Sequence, residues 1–213
     1  MTKNKATSDL DKSVQQVLEK MSRTGILVNL KFLEAFGNDL KGKLVKIEHK
    51  IYSKVGHEFN LNSPKQLQVV LFDELKLPVF RKTKTGRSTD EETLRELQTA
   101  YPVVPLLLEY RQLFKLVSTY IDALPKSVAQ DGRIHSTFNV EGSATGRISS
   151  QNPNLQNIPI KGEVGGEIRK AFIAPKEKVL LGADYSQIEL RIMAHLADDP
   201  ALKKAFKDGL DIH

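Results

Sequence analysis

Apolar residues recur at helical spacing as far as Ile121 and then switch to strand spacing, an order that divides the chain into a helical half and a mixed half. Leu10, Val14, Val17, Leu18 and Met21 share one helical face that ends near Gly25. Residues 1 to about 9 are polar and are predicted to fray. Leu33, Leu40 and Ile47 repeat every seven residues, as do Leu44 and Ile51. Three heptads predict an antiparallel helical pair or a bundle edge, and are too few for a long coiled coil. Ser63-Pro64-Lys65-Gln66 supplies an N-cap serine, a proline at the first helical position and a glutamine at the third. That helix should reach about Leu75 and stop before Pro78. Thr89-Asp90-Glu91-Glu92 is a second capping box. A further helix is predicted from about Val103 to Ile121, with Leu107, Tyr110, Phe114, Val117 and Ile121 inward.

The pattern changes at Leu124-Pro125. Asp131-Gly132 signals a turn, after which Ile134, Ser136, Phe138 and Val140 alternate with His135, Thr137 and Asn139 as in a half-buried strand. Residues 141 to 165 are rich in Gly, Asn, Ser and Pro and predict loop. Arg169 to Ala174 predicts another strand, and Asp199-Pro200 starts a last short helix with Gly209 near its end. The fold class is therefore α+β, helical first and mixed after. A hydrophobic fraction of 40% supports a packed core. Against 26 acidic residues stand 32 Lys and Arg, and the formal charge of +6 mildly favours polyanionic partners. The absence of cysteine excludes disulfides and thiolate metal sites. Met1-Thr2-Lys3-Asn4-Lys5 has no apolar core, and no stretch nears the roughly 20 apolar residues that span a bilayer. A cytoplasmic protein with no membrane partner is the expectation.

The chemistry concentrates in Val179-Leu180-Leu181-Gly182-Ala183-Asp184-Tyr185-Ser186-Gln187-Ile188-Glu189-Leu190-Arg191. Val179 to Ala183 reads as a short buried strand. Ile188, Ile192, Met193 and Leu196 then share one helical face. A carboxylate at the tip of such a strand, beside the first N–H groups of a helix, suits a hard divalent cation that carries phosphates. Taken alone, a strand-terminal aspartate is more often a helix N-cap, and a helical glutamate more often a surface acid.

The segment Asp184 to Arg191 resembles the first catalytic motif of the A family of DNA polymerases, the bacterial DNA polymerase I type. Thr145-Gly146-Arg147-Ile148-Ser149-Ser150 and Asn152-Pro153-Asn154-Leu155-Gln156-Asn157-Ile158-Pro159 resemble a palm segment of that family. Phe59-Asn60-Leu61-Asn62-Ser63, Lys84-Thr85-Gly86-Arg87-Ser88-Thr89 and Ser118-Thr119-Tyr120-Ile121-Asp122 resemble its thumb. The likeness runs in order from about Val17 to His213. It implies a helical thumb over 1–125, then the N-terminal part of an antiparallel palm sheet with helices over 126–213, ending where the fingers start.

The resemblance also implies roles. Asp184 would be one of two carboxylates holding two Mg²⁺ ions, with the backbone carbonyl of Tyr185 as a further ligand. Ser186 and Gln187 would line the nucleotide site, Glu189 would block a ribose 2′-hydroxyl, and His213 would reach the incoming triphosphate. Arg147 would enter the minor groove at the primer terminus, where acceptors sit almost alike for all correct pairs. Asn154 and Asn157 would touch template or primer, with Gln151 and Gln156 nearby. Lys82, Lys84, Arg87 and Ser88 in the basic loop Arg81 to Arg87, and Lys115, Ser118, Thr119 and Tyr120, would follow duplex phosphates without reading sequence. The plainer view of that loop is a solvated surface run. Asp198-Asp199 is read as a cap on the next helix, not a metal pair.

Two-metal chemistry needs a second carboxylate, which the family carries in a His-Asp-Glu segment beyond a fingers helix. Neither occurs in these 213 residues. The expectation is a template-directed DNA polymerase fragment that binds primer–template DNA and a deoxynucleoside triphosphate. It would be completed by a second polypeptide bearing the fingers and the rest of the palm. The alternatives are a non-catalytic primer–template-binding module, and a metal-dependent nuclease built on Asp184 and Glu189.

Overall fold

The computed structural model describes residues 5–83, 86–140, 142–143, 145–160 and 163–210. The chain forms two compact units, Met1–Lys176 and Glu177–His213. The first opens with helix α1 (Lys5–Thr24), strand β1 (Ile26–Val28) and the long helix α2 (Leu30–Val55). Helix α1 starts inside the stretch expected to fray. It stops where Gly25 takes φ +61° and donates its N–H back to the Met21 carbonyl. Asn29 caps α2 through the Phe32 N–H, and Gly56 closes it in the left-handed region.

The heptad positions are the buried face of α2: Leu33, Leu40, Ile47 and Ile51 are all within the core. They pack on α5 (Val104–Leu116), which runs on as a wider π-helical turn over Val117–Ile121. Gly37 permits the close approach of the two. A Cβ there would lie 2.4 Å from Ile121 Cγ2.

Between α2 and α5 the chain forms α3 (Pro64–Gln68), a π-helical continuation over Val69–Glu74, the hairpin β2 (Lys82–Thr83) and β3 (Gly86–Arg87), and α4 (Glu91–Leu97). Ser63 caps α3 as its sequence predicts, but Gln66 reaches past it to the Asn60 N–H. The second capping box is displaced by one residue. Asp90, not Thr89, accepts the N-terminal N–H of α4, from Thr93 at 2.8 Å, because Thr89 is buried and its carbonyl is taken by Arg111. The Ser88 hydroxyl, then the Thr93 N–H, holds the Asp90 carboxyl down at about 2. A carboxylate depressed by folding contributes stability above its unfolded value of about 4 and loses it as pH falls through the folded value. The Thr93 amide shift is therefore expected to titrate with a midpoint near 2. A midpoint near the ordinary carboxylate value would reject the cap.

The second half of the first unit carries a 3₁₀ turn (Leu124–Ser127), β4 (Arg133–Ile134), β5 (Thr137–Asn139), β6 (Ser149–Gln151), α6 (Glu163–Arg169) and β7 (Phe172–Ile173). The alternating run 134–140 is split between two antiparallel sheets. One has the order β4-β1-β7, with Ile26 opposite Ile134 and Leu27 opposite both Arg133 and Ile173. The other pairs β5 with β6, with Phe138 opposite Ser150. The central strand β1 comes from the opposite side of Leu124-Pro125 to its two partners. Helix α1 packs on β5. His135 Nδ1 meets the Ser22 carbonyl at 2.8 Å, and Arg133 donates to the Thr24 and Gly25 carbonyls. The helical and mixed stretches thus interlock within one compact unit.

The second unit holds α7 (Ile188–Leu196) and α8 (Pro200–Lys207), which pack together. Asp199 caps α8 through the Leu202 N–H, and Gly209 follows it at φ +72°. The strand expected over Val179 to Ala183 is absent. Val179, Leu180 and Leu181 are 86%, 60% and 91% exposed and make no ladder. A lone extended segment forms a strand only against a partner edge, and its apolar side chains gain nothing until they are covered. The same correction applies to α7. Its helical period is right, yet Ile192, Met193 and Leu196 are exposed and only Ala194 is buried. Among the described residues no helix is long and apolar enough to cross a membrane.

Candidate nucleic-acid interface and metal position

In the first unit the sequence-predicted residues divide into exposed and committed side chains. Lys115, Ser118 and Thr119 are exposed along the end of α5 and its π turn, as are Lys82 on β2 and Arg147 ahead of β6. Gln151 is exposed at the end of β6, and Asn154, Gln156 and Asn157 are exposed on the loop after it. Lys115, Tyr120 and Asn157 line one cleft of about 660 Å³ together with Arg95, Gln112 and Pro159.

Three predicted contacts take other duties. Ser88 is 3% exposed, and its hydroxyl accepts the Asp90 N–H, so it has no free surface for a phosphate. Arg87 makes a two-pronged pair with Asp73, at 2.6 and 2.5 Å, and lies over the Phe72 ring at 5.1 Å. That pair locks β3 onto the helical segment ending at Glu74. Tyr120 is 4% exposed and donates its hydroxyl to the Asn157 carbonyl. Each is a residue whose type suits nucleic acid and whose partners suit scaffolding. Lys84 and His213 lie outside the described residues.

Sequence reasoning missed the groups that hold these surfaces in place. Arg111 reaches from α5 to the Thr89 carbonyl and hydroxyl, and so anchors the start of α4. Its only signal is an arginine in a largely apolar helix that also carries Glu109, Gln112 and Lys115. The Ser136 and Ser150 hydroxyls, 1% and 4% exposed residues, meet at 2.7 Å. Ser136 also donates to the Pro153 carbonyl at 2.7 Å, and Ser150 accepts the Leu155 N–H at 3.1 Å. Gln156 donates its amide to the Ile148 carbonyl at 2.8 Å. The thumb-like motif 59–63 likewise serves architecture: Leu61 is buried, Asn62 donates to the Tyr110 hydroxyl, and Ser63 caps α3. The nearby Tyr52 hydroxyl donates to the Phe59 carbonyl, and burial, then the Glu48 carboxylate, pushes it up to about 12.

In the second unit Asp184, Tyr185 and Ser186 are exposed immediately ahead of α7, and Glu189 lies in its first turn. Gln187 takes the left-handed conformation at the helix start, φ 51° and ψ 43°. The Ser186 carbonyl accepts from Arg191 Nε at 2.8 Å, and the Arg191 guanidinium sits 4.6 Å from the Phe206 ring centre. Arg191 therefore ties the bend after Asp184 to both helices of the unit. Among the described residues no group of three or more acidic or histidine side chains gathers to hold a metal. The donor set at the bend is one carboxylate and one adjacent backbone carbonyl, both hard oxygens. Such a set fits a magnesium ion that takes its other ligands from water and substrate phosphates.

The family model for DNA polymerase family A matches residues 30–213. DNA polymerase I of Lactococcus lactis subsp. lactis is 50% identical over 206 residues, 97% of this chain and 24% of that protein. DNA polymerase I of Geobacillus stearothermophilus is 49% identical over 209 residues, again 97% of this chain and 24% of that protein. The chain thus spans about a quarter of the length of these relatives. A solved structure, the POL domain of Pol1 from M. smegmatis in complex with DNA primer-template and dNTP, superposes with a TM-score of 0.86 at 47% identity. That superposition covers 94% of this chain and 36% of the other.

Proposed function

This chain belongs to DNA polymerase family A, and from that premise we propose that it takes part in template-directed addition of deoxynucleotides to a primer 3′-hydroxyl. The observation that carries the reading is the bend Asp184-Tyr185-Ser186, exposed ahead of α7 with Glu189 on the first helical turn. Asp184 and the Tyr185 carbonyl would hold magnesium there, and bound magnesium would lower the hydroxyl pKa and offset charge on the phosphates. Ser186 and Gln187 would line the nucleotide pocket, with His213 at its triphosphate end. Glu189 would occupy the space that a 2′-hydroxyl needs. The neighbour's bound primer-template and dNTP support the same substrates for this chain.

Duplex contact falls to the exposed set. Lys82, Lys84, Lys115, Ser118 and Thr119 would meet phosphates, and Arg147, Asn154, Gln156 and Asn157 would reach the minor groove and primer end. Residues 1–125 would act as the thumb and 126–213 as the first part of the palm, with β1 lent to the palm sheet. The second carboxylate and the fingers come from polypeptide outside these 213 residues, and a separate chain is one form that polypeptide can take.

The test is primer extension by the 213-residue chain with and without a polypeptide supplying those parts. Extension only on mixing is the expected result. Extension by the chain alone would remove the need for a partner. Salt-sensitive duplex binding with no extension on mixing would return the non-catalytic binding module. Magnesium-dependent degradation, lost in Asp184→Ala, would favour the nuclease.

A further inference from the structure

We propose that Tyr120 is a positioning residue, tethering the loop that carries Asn154 and Asn157 to the last turn of the α5 helix through the Asn157 carbonyl. The inference rests on the duplex reading above, in which that loop and the end of α5 face the same DNA. It goes beyond that reading in removing Tyr120 from the contact surface and giving it control of another element.

The loop is held at two points. The buried Ser136 and Ser150 hydroxyls fix its first part, through the Pro153 carbonyl and the Leu155 N–H. Tyr120 holds the later part, by donating to the carbonyl of Asn157 just before buried Ile158. A tyrosine hydroxyl is a donor at neutral pH, and burial raises that of Tyr120 further above its ordinary value. The ring itself is packed in the core, and an aromatic held there positions its hydroxyl with few degrees of freedom.

The wide turn is what aims it. An α-helix advances about 100° per residue, so the extra residue of a π turn redirects everything after it by about that angle. Val117–Ile121 is such a turn, and Tyr120 lies within it. From within this turn the phenol reaches the Asn157 carbonyl. The same turn carries exposed Ser118 and Thr119, and Lys115 stands one helical turn before. The exposed polar groups of two elements, 37 residues apart in sequence at the Tyr120–Asn157 bond, are thereby held in one register across the shared cleft. The plainer view is a core tyrosine whose hydroxyl has merely found an acceptor.

Tyr120→Phe separates the two, because it keeps the ring and removes only the donor. Amide hydrogen exchange at residues 154–158 is expected to quicken about fivefold to tenfold, the value of one hydrogen bond, with the rest of the first unit unchanged. Primer–template affinity is expected to fall by a similar factor, and Lys115→Ala to weaken binding without changing loop exchange. Exchange unchanged in the loop, or quickened evenly through the unit, would overturn the proposal. So would loop-confined quickening with wild-type affinity while Lys115→Ala weakens binding. Affinity unchanged in Tyr120→Phe, Lys115→Ala and Arg147→Ala alike would count against the duplex reading, and the exchange pattern alone would then decide the tether.

Discussion

Asp184→Asn is expected to cut nucleotide addition by the completed polymerase about a thousandfold while leaving primer–template binding near wild type. The substitution keeps side-chain size and removes the charge. A carboxylate-held metal supplies several kcal/mol of transition-state charge stabilisation, and each 1.36 kcal/mol is a factor of ten in rate. Asp184 lies on an exposed bend outside the buried core, so its loss should not unfold the unit that carries it. Single-nucleotide extension under saturating duplex and magnesium makes the measurement. A rate within tenfold of wild type would sink the assignment of Asp184 as a metal ligand. Glu189→Ala gives the contrast. It should leave deoxynucleotide addition largely intact and raise ribonucleotide addition about tenfold to a hundredfold, since it empties a space without removing a charge from the reacting centre.

The largest stability effect is expected at Leu40→Ala. Leu40 is 0% exposed in the middle of the buried face of α2. Removing most of a buried leucine costs about 2–5 kcal/mol, from lost transfer energy and the cavity left behind. Since a domain of this kind is stable by only about 5–15 kcal/mol, that is a large part of the whole. Val45, on the same helix but 49% exposed, is the control, and Val45→Ala should stay within about 0.5 kcal/mol. Urea unfolding followed by helical signal would measure both. A Leu40→Ala loss below about 1 kcal/mol would mean that α2 does not pack as described.

What the sequence made legible is what short-range physics decides. The heptads of α2, the Ser63 cap, the turn at Asp131-Gly132 and the Asp199 cap all depend on residues within a few positions of one another, and all form. Strand β1 was invisible because three residues carry no period, and its partners lie far along the chain. Val179 to Ala183 misled for the converse reason. It has strand composition, yet a strand is a relation between segments, and among the described residues none pairs with it. At the candidate site, motif likeness marked the neighbourhoods well and individual duties less well. Arg87, Ser88 and Tyr120 sit inside DNA-polymerase-like motifs, but their partners are Asp73, Asp90 and Asn157. A motif records which residues belong together, and only packing separates the side chains that face outward from those that hold the others.

The placement of β1 also bears on how the molecule comes to be folded. Its neighbours in the sheet are Arg133–Ile134 and Phe172–Ile173, so Leu27 meets Ile173 only when about 145 further residues have been made. At about 5–20 residues per second on a ribosome, that is roughly 7–30 s before the middle strand can be paired on both sides, its first edge at Arg133–Ile134 arriving after roughly 5–20 s. Helices α2 and α5 are closer in sequence and can dock within that interval, with Gly37 already seated against Ile121. The strand translated first is then the last to be enclosed, and the sheet closes onto a helical layer that is already built.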